Sequence, residues 1–228
     1  DTVYGSLPIT VTAIQKESAA DVFVHISGAG DSFTGDILRG EGGETKIDVS
    51  GFTDISTKNS HDLVAYAQQA FENGWGYVWG TCGWVLTPQM FASKLSQYPD
   101  GVGKYKDFIE ENWINGRTTD CVGLIKGYGW LDYNTLEIGY GTNGMPDISA
   151  DQMYQVATTK GSMSTMPDTP GLAVWHKGHI GIYIGNGEVI EAMGTRYGVV
   201  KTQLSERSWT AWLEVPYITY ITETEALS

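Results

Sequence analysis

The sequence predicts an α+β fold, with strands near both ends of the chain and helices in its middle. Every second residue is apolar across 9–14 and across 22–26, which is the period of a β-strand. Between Ser60 and Trp113, three segments instead carry their apolar residues at helical spacing. From Gly171 onwards, short apolar runs separated by turn residues predict strands again. Strands and helices segregated in this way are typical of the α+β class.

The N-terminal segment, residues 1–58, predicts a small β-rich accessory domain. Gly-rich turns at 28–31 and 40–43 punctuate it, and it is shorter than the roughly 100 residues of a typical sandwich domain. Its Asp and Gly residues lack the ordered Asp-x-Asp-x-Asp spacing of a calcium loop, so we expect no metal site. Residues 59–228 then form the main domain, with a helical insertion at about 82–117.

Composition and charge exclude several classes of function. The chain has 228 residues, 41% of them hydrophobic, and a formal net charge of −13 without a basic cluster. We therefore expect no nucleic-acid partner and no attraction to anionic membranes. No apolar run approaches the roughly 18 residues of a membrane span, so we expect no membrane insertion. The chain begins at Asp1 rather than Met, which favours a secreted or cell-wall-associated protein whose export signal has been removed.

Local signals place the individual elements. Ser60 is the expected cap of the first helix, which ends at Gly74, and Thr87-Pro88 begins the second. Asn186-Gly187 between two apolar runs predicts a tight hairpin turn. Further helices are expected at 104–113 and 147–158, and strands at 172–175, 180–184, 189–192, 198–201 and 213–222.

Cys121 is the candidate nucleophile. Thr119-Asp120 is a plausible helix cap, which puts the thiol in the first turn of a helix. The unsatisfied amides and the positive end of the helix dipole favour thiolate there, and they can also stabilise an oxyanion. Gly123 leaves room for close backbone approach. The alternative is a small buried hydrophobe, since most lone cysteines play that part.

His179 and Glu191 are the candidate partners of Cys121. His179 begins a regular apolar strand, and a general base needs such a rigid position. Glu191 lies on the return strand after the hairpin turn, where it can orient the imidazole and stabilise its charged form. The alternative for Glu191 is a charged residue at a strand end. His176 lacks further ligand spacing and Cys82 lacks an activating neighbour, so we expect no metal at the first and a structural thiol at the second.

Four motifs together resemble the NlpC-type family of bacterial cell-wall cysteine peptidases, which has a papain-like core. The family pattern runs Tyr-x-Trp-Gly, Asp-Cys-Ser-Gly-Leu, Pro-Gly-Asp-Leu and Gly-His-Val-Gly-Ile-Tyr-x-Gly, followed by a polar third residue. The counterparts in this chain are Tyr77-Val78-Trp79-Gly80, Asp120-Cys121-Val122-Gly123-Leu124, Pro170-Gly171-Leu172-Ala173 and Gly178 through Gly185, with Glu191 as the third residue. The resemblance covers about residues 60–220 and implies a nucleophile helix packed on an antiparallel sheet.

The resemblance implies hydrolysis of peptidoglycan stem peptides, typically between D-γ-glutamate and a diamino acid, by a monomer without a cofactor. Cys121 corresponds to the nucleophile, His179 to the base and Glu191 to the orienting group. Tyr77 matches the tyrosine beside the nucleophile that can help at the oxyanion. Asp120 matches an acid that contacts the substrate amine in relatives. Trp79 and Val122 complete the expected substrate-binding residues.

The chain departs from the family pattern in ways that concern the substrate rather than the catalytic class. Val122 stands where the family has Ser, which removes one hydrogen bond to substrate, and Ala173 lies near the usual Asp. Glu191 replaces the commoner His. Residues 81–120 make the segment between Gly80 and Cys121 unusually long, and its helices can form one wall of a cleft. An amidase or acyltransferase on the same Cys–His scaffold, and a catalytically silent wall-binding module, are therefore the alternatives.

Overall fold

The computed structural model describes residues 22–25, 36–39 and 45–221 of the chain. Within these ranges it contains two sheets, five α-helices and three short 3-10 turns. The helices are α1 (Ser60–Glu72), α2 (Pro88–Gln97), α3 (Lys106–Asn112), α4 (Cys121–Trp130) and α5 (Ala150–Val156). The strands are β1 (Val22–His25), β2 (Asp36–Arg39), β3 (Gly76–Tyr77), β4 (Cys82–Val85), β5 (Arg117–Thr119), β6 (Lys160–Ser162), β7 (Ala173–His176), β8 (His179–Gly185), β9 (Glu188–Gly194), β10 (Gly198–Gln203) and β11 (Ala211–Leu213).

The larger sheet is antiparallel and carries His179 on β8 and Glu191 on β9. Its strand order is β1-β2-β10-β9-β8-β7-β11-β6, and every neighbouring pair runs antiparallel. The predicted hairpin joins β8 to β9, where Asn186 and Gly187 both adopt positive φ. Because β8 and β9 are buried strands in the middle of the sheet, their side chains have little freedom to move.

The smaller sheet leads into the nucleophile helix. It has the order β3-β5-β4, with β3 parallel and β4 antiparallel to β5. Tyr77 on β3 pairs with Thr119 on β5, one residue before the cap of α4. This pairing holds the first predicted motif beside the start of the helix, although 40 residues separate them along the chain.

Helix α4 lies at the centre of the main core. All ten of its residues are buried, and it packs against β4, β8 and β9. A side chain at Gly123 would collide with the carbonyl oxygen of Thr81, and one at Gly127 would collide with that of Cys82. The glycines therefore let the helix approach the β3–β4 connection and β4 at backbone distance. The predicted mixed α+β arrangement, with a helix on an antiparallel sheet, is present.

The predicted insertion at about 82–117 has a core of its own. The buried side chains of this core come from the β3–β4 region, from α2 and α3, and from the turns between them. They are Val78, Leu86, Phe91, Val102, Ile109 and Trp113. Trp113 lies against β3, since a side chain at Gly76 would meet its indole ring at 2.5 Å. The insertion is thus packed onto the smaller sheet rather than extending into solvent.

Several predicted boundaries differ from the structure. Asn59, not Ser60, caps α1, because its side chain accepts a hydrogen bond from the amide of Asp62. The helix expected at 147–158 is confined to α5, which begins after the capping box of Ser149 and Gln152. The last expected strand, 213–222, corresponds to β11 alone, which ends at Leu213. Pro216 follows it, and Tyr217 adopts a left-handed φ of 70°.

The predicted domain boundary at 58/59 stays a prediction. The expected strand at 9–14 and the turns at 28–31 and 40–43 lie outside the described residues. The strand expected at 22–26 corresponds to β1, which pairs with β2, and β2 in turn pairs with β10. Ile47 is buried in the main core, and Phe52 packs against it.

Candidate active site

Cys121 is the first residue of α4, as the sequence predicts. The Asp120 side chain caps the helix: its Oδ1 accepts a hydrogen bond of 2.7 Å from the amide of Gly123. Its Oδ2 accepts one of 2.8 Å from the amide of Gly80. Asp120 therefore ties the helix start to the Tyr77–Gly80 motif. Both of its oxygens are engaged by backbone amides, so Asp120 fixes the start of the helix on which Cys121 lies.

The Cys121 thiol is not activated by its helix position alone. Burial, and after it the nearby Asp120 carboxylate, raise the pKa of this thiol to about 12. The amides of Val122, Ile180 and Cys121 act in the opposite direction, as expected for a helix start, but they do not prevail. The neutral thiol is thus the resting form near pH 7, and a base is needed to remove its proton.

Glu191 contacts the ring of His179, as predicted. Its Oε2 lies 2.6 Å from His179 Nε2, and Glu191 is completely buried. In the strand register, Ile182 pairs with Ile190, which brings Glu191 across from Gly181. A side chain at Gly181 would lie 3.3 Å from Glu191 Cβ and 2.7 Å from Val189 Cγ1. The missing side chain leaves room for the carboxylate to reach diagonally to His179.

Two further donors complete the surroundings of Glu191. Thr202 Oγ1 donates to Oε1 at 2.9 Å, and Arg207 Nη2 donates to Oε2 at 2.8 Å. Burial by itself raises the pKa of this carboxyl group, but the hydrogen bond and charge of His179 and the charge of Arg207 outweigh it. The net effect lowers the pKa of Glu191. An ionised carboxylate only accepts hydrogen bonds, so the proton of neutral His179 is on Nε2 and Nδ1 keeps its lone pair.

The imidazole of His179 is held in a small aromatic group. The Trp209 ring stacks on it at a centroid distance of 5.6 Å and an interplanar angle of 10°. The ring of His176 lies 5.2 Å away. His176 has its pKa lowered by burial and by the neighbouring His179. These contacts leave the His179 side chain 12% exposed and fix the plane of its ring.

The thiol and the imidazole lie on adjoining elements. The amide of Ile180, which follows His179 on β8, is near enough to the Cys121 thiol to lower its pKa. Within residues 45–221 no hydrogen bond joins Cys121 Sγ to the His179 ring. An approach of Sγ to within about 4 Å of a ring nitrogen, which allows for loose geometry without substrate, stays a prediction.

Tyr77 lies beside the thiol and is 8% exposed. Burial raises the pKa of its phenol well above the ordinary value, and the nearby Cys121 and Asp120 raise it further. The hydroxyl is therefore neutral and available as a donor. The Tyr77 hydroxyl and the amides at the start of α4 are therefore candidate donors to a developing oxyanion.

A cleft of about 670 Å³ opens at the start of α4. Of the predicted substrate-binding residues, Val122, Trp79 and Asp120 line it together with Cys121, whereas Tyr77 is not part of its lining. Trp79 is 50% exposed, which is unusual for so large an apolar side chain. Helix α2 of the insertion contributes Lys94 and Gln97 to the opposite wall.

Sequence reasoning missed several residues of this region. Arg207 and Thr202 were not identified, because neither lies at a spacing that signals contact with Glu191. Lys126 lines the cleft and pairs with Asp147 at 2.5 Å. A lysine within the otherwise apolar and glycine-rich run of α4 was a signal that could have found it.

Other expected features concern the cysteines, metals and membranes. Cys82 and Cys121 are both free thiols. Burial raises the pKa of the Cys82 thiol, which makes it a poor nucleophile. Residues 22–25, 36–39 and 45–221 include no cluster of three or more His, Cys, Asp or Glu side chains able to hold a metal ion. None of the helices in these ranges combines the length and apolarity needed to cross a membrane.

Comparison with known proteins shows a likeness of shape only. No family model matches the chain, and no curated protein matches it. The structure is similar to the NlpC/p60 domain of the peptidoglycan hydrolase SagA, at 20% identity over 68% of this chain and 97% of that one, with a TM-score of 0.37. NlpC2 from Trichomonas vaginalis is 16% identical over 86% of this chain and 62% of its own, with a TM-score of 0.44.

The peptidoglycan hydrolase RipB from Mycobacterium tuberculosis is 21% identical over 69% of this chain and 67% of its own, with a TM-score of 0.38. Identities and scores this low do not transfer a residue's role from one protein to another. The chemistry of this site is therefore argued from the residues of this chain.

Proposed function

We propose that this chain is a cysteine peptidase that hydrolyses peptidoglycan stem peptides, with Cys121 as nucleophile, His179 as base and Glu191 as the group that orients His179. One observation carries the proposal. A fully buried, ionised Glu191 lies 2.6 Å from Nε2 of His179, and the next residue on that strand, Ile180, has an amide near enough to the Cys121 thiol to lower its pKa. Burying a carboxylate beside an imidazole costs free energy. In catalytic triads such a carboxylate orients the imidazole and stabilises its charged form.

The reaction follows from the protonation states. Nδ1 of neutral His179 accepts the proton of the Cys121 thiol, and the sulfur attacks the carbonyl carbon of the scissile amide. The oxygen of the tetrahedral intermediate accepts hydrogen bonds from the first amides of α4 and from the Tyr77 hydroxyl. His179 returns its proton to the leaving amine as the C–N bond breaks. Water, deprotonated by His179, then hydrolyses the thioester and releases the carboxylate and the free thiol.

The substrate assignment rests on the motifs and the cleft. A cleft lined by Trp79 and by charged side chains of both signs, Lys126 and Asp147, suits a short peptide that carries both amine and carboxylate groups. We propose the bond between D-γ-glutamate and a diamino acid as the target, and an extracellular or cell-wall location for the protein. Val122 offers no side-chain hydrogen bond to the substrate. Substrate recognition therefore depends on the charged side chains of Lys126 and Asp147.

The direct test compares wild-type protein with Cys121→Ala on purified peptidoglycan and on a defined stem peptide. Wild type is expected to release new amine termini, and Cys121→Ala is expected to lose at least about 10³-fold in rate, as removal of a nucleophile does. Cys82→Ala is the matched control, because it removes the other buried thiol and should keep most of the activity. Mass spectrometry of the products identifies the bond. Equal release by wild type and Cys121→Ala, or none by wild type, would overturn the proposal.

A further inference from the structure

The Glu191 carboxylate is shared between the His179 imidazole and the Arg207 guanidinium. His179 Nε2 and Arg207 Nη2 both lie on Oε2, at 2.6 and 2.8 Å, while Thr202 occupies Oε1. The Arg207 side chain is 16% exposed, so this ion pair is largely removed from water. A guanidinium in such a place keeps its charge at any physiological pH. The imidazole therefore faces a carboxylate whose charge is already partly compensated.

We propose that Arg207 is a positioning residue that keeps Glu191 ionised and lowers the proton affinity of the His179–Glu191 pair. The role rests on the function proposed for His179 and deepens it. In this role Arg207 acts through Glu191.

The physical reason is the charge left when the pair loses its proton. Without Arg207, a neutral His179 would leave Glu191 as an uncompensated charge in a site closed to water, which is costly. The pair would then hold its proton to higher pH, whichever of the two side chains carries it. With Arg207 present, the carboxylate is stabilised on its own and the imidazole can release its proton.

A base that can release its proton is what the Cys121 thiol requires. His179 must be neutral before it can accept the proton of that thiol. A carboxylate partner without compensation would keep His179 protonated to higher pH, and a protonated imidazole cannot accept the thiol proton. Arg207 thus widens the pH range in which His179 is neutral and can accept the proton of the Cys121 thiol.

Other titratable groups also lie near His179. Cys121 on α4 lies beside Ile180, and His176 on β7 faces the imidazole with its own pKa lowered. Asp151 on α5 accepts a hydrogen bond from the amide of Gly178 at 2.7 Å. Trp209 is uncharged but stacks on the imidazole, and the Arg207 guanidinium lies 5.6 Å from its ring centroid. Of these groups, Arg207 is the cation that contacts Glu191 directly.

The test is an NMR titration of the histidine rings in full-length protein. A Cys121→Ala background removes coupling to the thiol, and the His179 signal is assigned by its loss in His179→Gln. Arg207→Met and Arg207→Gln both remove the charge, and the second retains a hydrogen-bond donor. We expect the titration midpoint of the His179 signal to rise by about one pH unit or more in both. Arg207→Lys retains the charge and should shift it by less than half as much.

A second variant tests the idea without altering Arg207. In Glu191→Gln the guanidinium faces His179 without the compensating carboxylate, so the His179 midpoint should fall well below the ordinary histidine value of about 6.5. An ordinary midpoint in Glu191→Gln, or an unchanged midpoint in folded Arg207→Gln, would overturn the proposal. The Glu191→Gln result decides the matter if neither neutral Arg207 variant folds.

These readouts are independent of the substrate. If the wild-type protein releases no amine termini from peptidoglycan but the midpoints shift as described, the peptidase proposal fails and the role of Arg207 stands. If hydrolysis is observed and the midpoints do not move, the reverse holds.

Discussion

Two buried carboxylates of the site, Asp120 and Glu191, have opposite electrostatic environments. Asp120 accepts hydrogen bonds from two backbone amides, yet burial still raises its pKa. Glu191 is buried at least as deeply, yet its pKa is lowered, because His179 and Arg207 contact it. Two amides and the charge of Lys126 do not offset the desolvation of Asp120, whereas the direct contacts with His179 and Arg207 do so for Glu191. The helix side of the site therefore disfavours a second negative charge at the Cys121 thiol, and the sheet side holds an ionised carboxylate against His179.

Removing Glu191 should produce the largest effect on stability. Glu191→Ala removes the acceptor of His179, Thr202 and Arg207 from a completely buried position, and we expect a loss of about 3–5 kcal/mol in the free energy of unfolding. Urea denaturation measures it. Glu188→Ala on the same strand is the control, because its pair with Lys201 is partly exposed and should contribute less than about 1 kcal/mol. Similar losses in the two variants would contradict the contrast.

Removing the Asp120 cap should have a smaller effect. Asp120→Ala leaves the amides of Gly80 and Gly123 without their acceptor, and we expect a loss of about 2 kcal/mol, the upper end for helix caps. Asp120→Asn keeps one acceptor and removes a charge that burial disfavours, so it should lose less. The matched control is Ser149→Ala, an exposed cap of α5 with one amide contact, for which we expect about 1 kcal/mol. A larger loss in Asp120→Asn than in Asp120→Ala would overturn this account.

The two carboxylates should also give pH dependences of opposite sign, and this is the smallest of the expected effects. The pKa of Glu191 is below its ordinary value of 4.5 in the folded state, so its stabilisation is complete above that value and is lost as pH falls through the folded pKa. The pKa of Asp120 is above its ordinary value of 3.8, so the folded state gains relative stability as this group takes up its proton at falling pH.

The measurement is the free energy of unfolding between about pH 6 and about pH 3. The advantage of wild type over Glu191→Gln should shrink toward acid, while wild type should gain relative to Asp120→Asn. Parallel slopes for the two comparisons would mean that the contrast between the carboxylates is wrong.

Much of the site could be predicted where local pattern and position coincide. Cys121 opens a helix because Asp120 caps it, and His179 opens a strand because the apolar alternation starts there. The Asn186-Gly187 turn placed Glu191 on the partner of that strand. The contact between Glu191 and His179 then follows from the register and from the glycine at 181.

Other parts could not be predicted, because they depend on burial and on distant pairing. The thiol pKa was expected to fall at the helix start, but the surrounding core and Asp120 raise it. Lys94 and Gln97 reach the cleft only because the insertion packs onto the smaller sheet. Lys126 pairs with Asp147 across a loop, and the loop has no regular hydrophobic spacing from which the contact could be predicted.

The sequence by itself determined which elements present Cys121, His179 and Glu191, since helix caps, strand alternation and hairpin turns are local properties of the chain. Only the tertiary structure decided their electrostatics. Whether a buried acid keeps or loses its proton depends on which charges fold against it. Arg207, which together with His179 lowers the pKa of Glu191, comes from a segment that no local pattern connects to the site.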